Sequence, residues 1–372
     1  MTLRPFAALA LAALLAAPAL AQTPGVVSPD RLAAHVKALA DPALAGRAPG
    51  GPGEPGTIDY LVGQFKALGL EPAGDNGGWT QEVALNRFVV PGDAILSLTV
   101  GGGTRPLVQT REIMAATQRP VDRVTIDKAP LVFVGYGVSA PERGWDDFKG
   151  VDLKGKIAVF LINDPDFEAG PGDAVAGKFG GQAATYYARW SYKYEEAVRR
   201  GAIGALIVHE TAGAAYPWTT VVASNGESFD VVRDDPAAAR LLLQGWIQRD
   251  VAVDLFRKAG LDFEAEKLRA RTAAFRPVTL AGASFSADYP LKVDRLVSRN
   301  VLARIPGATH PDESIMFSAH WDAFGLGPAD ATGDTVRHGA ADDAIGVAGV
   351  IELADGRKLG FQIKQGNMHG NS

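Results

Sequence analysis

The pattern of apolar and polar positions predicts two helices near the start of the chain. Ser28-Pro29 is typical of a helix N-cap followed by proline at the first helical position, and it predicts a helix that ends near Leu39. The Gly- and Pro-rich residues 46–56 predict a loop. A second helix is predicted to follow this loop and to end at Gly69. Its apolar positions recur at helical spacing: Ile58, Leu61, Val62, Phe65 and Leu68.

Alternating and β-rich segments predict strands farther along. Residues 87–100 alternate and run into three glycines, which indicates a strand and a turn. From Pro120 the composition changes. Strands are predicted over 130–138, 157–162, 205–209 and 300–305, and a helix is predicted over 189–199. Residues 236–275 are expected to be helical and charged, and residues 277–292 irregular. Strand, helix and strand in this order favour a compact β-rich module with a helical crossover.

A chemically distinctive segment follows. The apolar run Ser314–Ala319 predicts a buried strand of a parallel sheet, with His320 at its carboxyl end. Open α/β sheets collect ligands and catalytic groups at that end. A final helix is expected from Asp343 to about Ala354.

The N-terminus has the features of an export signal. Residues 1–21 contain Arg4, an apolar run over 6–15, and Ala19-Leu20-Ala21 before Gln22. A membrane anchor would need about 20 apolar residues, and no other segment of the sequence has them. We therefore expect signal cleavage, no integral membrane span afterwards, and a secreted or periplasmic protein.

Charge and cysteine content narrow the chemistry. The formal net charge is −5 and becomes −6 when cleavage removes Arg4, the one charged residue of the signal. This mild acidity argues against nucleic acid or an anionic membrane as partner. Since the chain has no Cys, any metal must be bound by His and carboxylates.

Two short motifs suggest such a site. Ser318-Ala-His320-Trp-Asp322 places an imidazole and a carboxylate two residues apart, and Asp342-Asp343 follows a Gly/Ala turn. A carboxylate at such a turn can bridge two metals roughly 3.5–4 Å apart. Two simpler alternatives stay open: a surface hydrogen-bonded His–Asp pair, and Asp342-Asp343 as the N-terminal cap of a helix.

Several motifs resemble a known family. Gly135-Tyr136-Gly137, Asp152–Lys156 and Gly201–Val208 resemble a protease-associated (PA) domain. Residues 300–307, 318–322 and 339–346 resemble the zinc aminopeptidase family that carries this domain as an insertion, which includes bacterial leucyl aminopeptidases and is related to glutamate carboxypeptidase. Segments 39–47 and 69–72 resemble its N-terminal region.

The resemblance implies a fold and a set of domains. The fold is expected to be α/β, with the mixed, mainly parallel sheet of a zinc exopeptidase, incomplete here, and an inserted β-rich PA domain. The implied divisions are a signal peptide at 1–21, the N-terminal part of the peptidase at 22–119, the PA-like insertion at 120–279, the start of the peptidase core at 280–354, and an atypical tail at 355–372.

The resemblance also implies roles for site residues. His320 and Asp342 would be metal ligands, Asp342 bridging two zinc ions, and Asp322 would orient His320. In the family the peptide bond after the bridging Asp is typically cis, here between Asp342 and Asp343. The substrate would be a peptide, cleaved from its N-terminus by zinc-activated water.

The sequence departs from the family after Asp343. The family's Glu general base and its further ligands have no matching motif, since only Glu352, Asp355 and His369 follow. We therefore expect a truncated product that lacks the general base and is inactive. The alternative is a non-catalytic exported fragment whose PA module binds peptide or protein.

Four other groups of polar or aromatic residues are expected to have no functional role. His338 is expected at a turn surface and Glu195-Glu196 on a solvated helical face. Residues His209-Glu210 and the aromatic cluster formed by Tyr186, Tyr187, Trp190, Tyr192 and Tyr194 are expected to be structural.

Overall fold

The computed structural model describes residues 27–235, 240–310 and 312–357. The predicted signal at 1–21, most of the tail at 355–372 and His369 lie outside the described residues.

The described residues form eight α-helices and fifteen strands. The helices are α1 Pro29–Leu39, α2 Glu54–Ala67, α3 Trp190–Arg199, α4 Thr211–Ala214, α5 Trp218–Val221, α6 Arg249–Lys258, α7 Phe263–Ala270 and α8 Ile345–Arg357. The strands are β1 Glu71–Pro72, β2 Thr80–Val89, β3 Ile95–Val100, β4 Gly103–Pro106, β5 Ile113–Ala116, β6 Arg123–Phe133, β7 Ser139–Ala140, β8 Trp145–Asp146, β9 Ile157–Leu161, β10 Gly204–His209, β11 Glu227–Val231, β12 Leu243–Gln248, β13 Val278–Pro290, β14 Lys292–Val301 and β15 Ala303–Arg304.

The two N-terminal helices confirm the sequence prediction. The Ser28 side chain accepts a hydrogen bond from the Arg31 amide and caps α1, which ends at Leu39 as expected. Helix α2 ends just before Gly69, whose φ of +62° suits a residue without a side chain.

An eight-stranded mixed sheet is the largest element of the fold. Its order is β4-β3-β13-β6-β9-β10-β12-β5, in which β6, β9, β10 and β12 are parallel neighbours and the other pairs are antiparallel. The mixed α/β class is confirmed. The sheet takes in β3–β5 and β13, and so includes residues on both sides of the predicted boundaries at 120 and 279.

Both faces of the sheet are buried at its central strand β9. In β9, Ile157 and Val159 face a core covered by α6 and α7, while Ala158 and Phe160 face a second core covered by α3. Because neither face is solvated, the strand is an unbroken apolar run rather than an alternating one.

Two sequence predictions within this sheet were wrong. Residues 278–290 form the long strand β13, not an irregular segment, and it pairs with both β3 and β6. Its small Ala, Ser and Gly residues carry little strand propensity, so its pairing with two neighbours decides its conformation. Strand β12, over Leu243–Gln248, lies inside the stretch expected to be helical. It is buried because it pairs with β10 and β5.

The prediction of a strand at Ser314–Ala319 was also wrong. This segment is irregular and exposed, with 84% of Met316 accessible. No described strand hydrogen-bonds to it, and an apolar run becomes a buried strand only where neighbouring strands pair with its backbone.

The Gly135-Tyr136-Gly137 motif has a packing role. Both glycines have positive φ, and a Cβ at Gly137 would lie 2.2 Å from the Phe160 ring. The Tyr136 carbonyl accepts a 2.6 Å hydrogen bond from the fully buried Lys193. Lys193 also donates to the Asn163 and Tyr187 carbonyls, so it joins three backbone segments.

A three-stranded antiparallel sheet, β11-β2-β14, leads from the large sheet to a helical unit. In this unit α1, α2 and α8 pack around Leu39, Phe65, Trp321 and Ile351. None of the helices in the described ranges has the length and apolarity to cross a bilayer.

Helix α8 is fastened to α1 by a buried carboxylate. Glu352 accepts hydrogen bonds from the Ser28 amide at 3.0 Å and from the Arg31 guanidinium at 2.7 and 2.8 Å. Burial would raise the pKa of Glu352, but these hydrogen bonds lower it overall. Glu352 therefore faces α1 rather than the start of its own helix.

We expect Glu352→Ala to destabilise the protein by about 1–3 kcal/mol, because it leaves the Ser28 amide and Arg31 without this acceptor. Urea unfolding measures the loss. The matched control is Glu82→Ala, which removes an exposed carboxylate 3.4 Å from Arg299 and should change stability by less than about 0.5 kcal/mol. Equal effects of the two substitutions would contradict the anchoring of α8.

The same contact predicts a pH dependence. Since the folded pKa of Glu352 lies below its ordinary value of 4.5, its stabilising effect is present above pH 4.5 and is lost as the pH falls through the folded pKa. The difference in stability between the wild type and Glu352→Gln should therefore shrink in acid. A difference that stays constant down to pH 3 would contradict this.

Candidate metal centre

The buried Trp321 fixes the segment that carries His320 and Asp322. Its indole packs among the helices of the helical unit, and its Nε1 donates a 2.9 Å hydrogen bond to the Arg299 carbonyl of β14. Because neighbouring residues of an extended segment face opposite sides, burying Trp321 leaves His320 and Asp322 on the outer side. About half of each of these two side chains is exposed.

The second segment of the site is the turn that precedes α8. Gly339 opens it with φ +60°, and a Cβ there would lie 2.6 Å from an Arg47 nitrogen. The peptide bond between Asp342 and Asp343 is cis, as the family resemblance implies.

The two segments bring His320 against three carboxylates. Its Nε2 lies 3.1 Å from Asp342 Oδ1 and 3.9 Å from Asp343 Oδ2. Its Nδ1 lies 3.4 Å from Asp322 Oδ1 and 3.2 Å from the Asp322 carbonyl oxygen. The structure therefore brings together His320, Asp322 and Asp342, the residues selected from the sequence.

Asp342 and Asp343 have different partners. Asp343 accepts hydrogen bonds from the Gly346 amide at 3.1 Å and from the His320 amide at 3.3 Å. It is thus a cap for the first turn of α8 and a brace for the His320 backbone. Of the two alternatives left open by the sequence, capping describes Asp343, while Asp342 faces the His320 ring. Sequence reasoning gave Asp343 no separate role.

Sequence reasoning also missed Arg47. Its side chain is 1% exposed and contacts both segments of the site on their buried side. Nε donates to the Trp321 carbonyl at 2.7 Å, and the terminal nitrogens donate to the carbonyls of Leu39, of His338 at 2.8 Å and of Gly339 at 2.9 Å. The sequence contained one indication of a role for Arg47: it is the last residue of segment 39–47, which resembles the family, and it lies beside a Gly-rich loop.

The carboxylates perturb the ionisation of His320. The Asp322 side chain, together with the charge of Asp342, raises the pKa of His320 from 6.5 to about 9, against a smaller opposing effect of burial. At pH 7 the imidazole of His320 is therefore protonated on both ring nitrogens and positively charged. A metal ion has to displace the proton on Nε2 to bind that nitrogen.

His338 lies beside the site without facing it. Its Nδ1 is 2.7 Å from the Ala40 carbonyl oxygen and its Nε2 is 2.8 Å from Asp334, which joins the 330–338 loop to the end of α1. The hydrogen bond with Asp334 raises the pKa of His338.

The remaining groups weighed from the sequence lie in the large-sheet region. Glu196 is buried and paired with Arg199 and Arg200, so the expectation of a solvated face holds only for Glu195, which is half exposed. His209 contacts the Tyr216 carbonyl, and Glu210 binds Lys267. Within the aromatic cluster, Tyr186, Tyr187 and Tyr192 pack edge to face on one another, and Trp190 packs edge to face on Tyr194.

The donor set fits part of a zinc site. With metal–ligand bonds of about 2.0–2.2 Å at tetrahedral angles, two ligand atoms lie roughly 3.3 Å apart. The 3.1 Å separation of His320 Nε2 and Asp342 Oδ1 is close to this value. Within residues 27–235, 240–310 and 312–357, however, no group of three or more His, Cys, Asp or Glu residues is arranged to hold a metal ion. The described part of the chain thus places two candidate ligand atoms at a suitable separation.

Comparison with known families identifies the segment that carries this site. Residues 300–366 match peptidase family M28. Over these residues the match confirms the resemblance to a peptidase family. The M28 segment contains His320, Asp322 and Asp342, and it extends beyond Ala354.

Solved structures with similarity to the chain are bacterial aminopeptidases. One is an aminopeptidase from Aneurinibacillus sp. strain AM-1, with 21% identity, 89% of this chain and 59% of that chain covered, and a TM-score of 0.39. Another is a zinc aminopeptidase from Bacillus subtilis, with 16% identity, 90% and 58% covered, and a TM-score of 0.35. The chain spans less than two thirds of the length of these structures. No curated protein sequence matches it.

We expect the affinity for zinc to rise with pH, by about tenfold per unit between pH 6.5 and 8.5, because the metal competes with the proton on His320. Calorimetry in buffers of different ionisation enthalpy should detect about one proton released per bound ion at pH 7. His338→Asn should keep this proton release and His320→Asn should lose it. An affinity independent of pH would contradict the assignment of His320 as a ligand.

Proposed function

We propose that the chain belongs to a metal-dependent exopeptidase that removes N-terminal residues from peptides. The observation that carries the proposal is the approach of His320 Nε2 to Asp342 Oδ1 at 3.1 Å within the M28 segment, with Asp322 on the other ring nitrogen. This is the arrangement of a terminal ligand, its orienting carboxylate and a second ligand.

Zinc bound at such a site would activate water and stabilise the developing oxyanion at the scissile carbonyl. His320 and Asp342 would hold the metal, with Asp342 in the bridging position that the family resemblance implies. Asp322 would hold the imidazole with Nε2 free to bind, and Asp343 would hold the His320 backbone through its amide.

A second candidate function follows from the incomplete donor set. The described residues bring together two ligands and no general base: of the carboxylates that follow Asp343 there, Glu352 is engaged by Arg31 on α1, and Asp355 also pairs with Arg31. An exported protein that binds peptide through its PA-like module, without turnover, would fit this arrangement. We place the peptidase first, because the 3.1 Å separation of His320 Nε2 and Asp342 Oδ1 suits two ligands of one metal ion.

Under this proposal, and in contrast to the inactivity expected from the sequence, the purified chain should bind zinc and release amino acids from a peptide with a free N-terminus, but not from its N-acetylated form. A chelator should abolish the release. Zinc content and a free-amine assay measure the two properties. Peptide binding with weak or no metal and no turnover would favour the second candidate and sink the first.

Asp342→Asn should lower zinc affinity by at least tenfold, because a neutral amide replaces a charged oxygen ligand. The matched control is Asp288→Asn, which removes an exposed carboxylate paired with Arg123 on the large sheet and should leave zinc binding unchanged. Equal zinc affinities of the two variants would exclude Asp342 as a ligand.

We further propose export of the protein, on the basis of the signal at residues 1–21. Sequencing of the protein recovered outside the cytoplasm should begin at Gln22. An uncleaved N-terminus in cells with working export would contradict this.

A further inference from the structure

We propose that Arg47 is a positioning residue of the candidate metal centre, whose buried guanidinium holds the His320–Asp322 segment and the Gly339–Asp343 turn in mutual register. The proposal rests on the proposed function in so far as that site binds metal. Arg47 contacts no reacting group, so its effect is exerted through the backbone of the ligand-bearing segments.

The contacts of Arg47 join three parts of the chain that are far apart in sequence. Its donors reach the carbonyl of Trp321, directly after His320, and the carbonyl of Gly339, which opens the turn to Asp342. A third contact, to the Leu39 carbonyl, ties both segments to the end of α1. Moving either segment breaks at least one hydrogen bond to a desolvated cation, which is costly.

The geometry requires arginine rather than any cation. A guanidinium presents five N–H donors in a rigid plane, so its acceptors are fixed relative to one another. A lysine ammonium has one nitrogen and rotating donors, so it fixes the positions of its acceptors less strictly than a guanidinium does. No ion pair of Arg47 with a carboxylate accompanies these contacts within the described residues, which separates Arg47 from an ordinary buried salt bridge.

The backbone around Arg47 is held in an unfavourable conformation. Ala45, Gly46 and Arg47 have φ values of +46°, +67° and +52°, and the left-handed region is costly for the two residues that carry a Cβ. The conformation brings the Arg47 carbonyl within 3.1 Å of the Ala323 amide and the Gly46 carbonyl within 2.9 Å of the Gly325 amide. The loop therefore contacts the His320 segment through its backbone as well as through the guanidinium.

The charge of Arg47 and its positioning role predict opposite effects on metal affinity. Burial lowers the pKa of Arg47, and the charges of the nearby Asp322, Asp342 and Asp343 carboxylates oppose this effect only in part. A cation so close to a cation site repels the metal. If charge were its main effect, removing Arg47 would tighten metal binding. If positioning is its main effect, removing it weakens metal binding.

The test compares three variants of the full chain. Arg47→Met removes all the donors, and Arg47→Lys keeps the charge but not the planar donors. The matched control is Lys193→Met, which removes another fully buried cation bound to three backbone carbonyls, at the large sheet. Amide hydrogen exchange is measured on the metal-free chain, and affinity is measured with Co²⁺ as the probe.

We expect Arg47→Met to speed amide exchange at least tenfold in residues 320–325 and 339–346 relative to residues 157–161, and to weaken Co²⁺ binding by about 10–100-fold. Arg47→Lys should show the same local changes to a smaller degree, and it decides the question if Arg47→Met does not fold. Lys193→Met should lower Tm without changing either local quantity.

Unchanged local exchange in both Arg47 variants, uniform acceleration along the whole chain, or tighter Co²⁺ binding by Arg47→Met would each overturn the proposal. A wild-type chain that binds no Co²⁺ would refute the proposed function instead. In that case hydrogen exchange alone would decide whether Arg47 holds the two segments.

Discussion

The buried guanidinium of Arg47 is the contact on which the arrangement of the candidate site depends. The segment around His320 is irregular, and the turn around Asp342 is a short helical turn interrupted by non-helical backbone at Asp342 and Asp343. Since buried backbone carbonyls need donors, a side chain that supplies several donors at once stabilises the packing of both segments. Arg47 supplies them to Trp321, His338 and Gly339.

Trp321 and Glu352 add two further constraints on the same unit. The indole of Trp321 is held by apolar packing and by the Arg299 carbonyl, so the His320 segment is anchored to β14 as well as to Arg47. Glu352 holds α8 against α1 through Ser28 and Arg31, which sets the position of the turn before α8. The site is thus assembled from segments near residues 40, 320 and 340, which converge on one small core.

How much of this could be predicted depended on whether the signal was local. Helix α1 was predicted to its last residue because Ser28, Pro29 and the apolar spacing all act within a few residues. Strand β13 and the segment 314–319 were predicted wrongly in opposite directions. The first has weak propensity but two paired neighbours, and the second has strong propensity but no paired strand among the described residues. Strand formation depends on pairing partners that a linear pattern does not specify.

The sequence by itself determined the chemistry that this protein can offer: one imidazole and one carboxylate two residues apart, a second carboxylate in a Gly/Ala turn, and no thiol. Those residue types and spacings are properties of the chain, and they were enough to relate the C-terminal segment to peptidase family M28. Only the tertiary structure decided that Asp342 faces His320 while Asp343 caps α8, and that Arg47 lies beneath both segments. These outcomes depend on contacts between residues up to about 300 positions apart, and such contacts form only when the chain has folded.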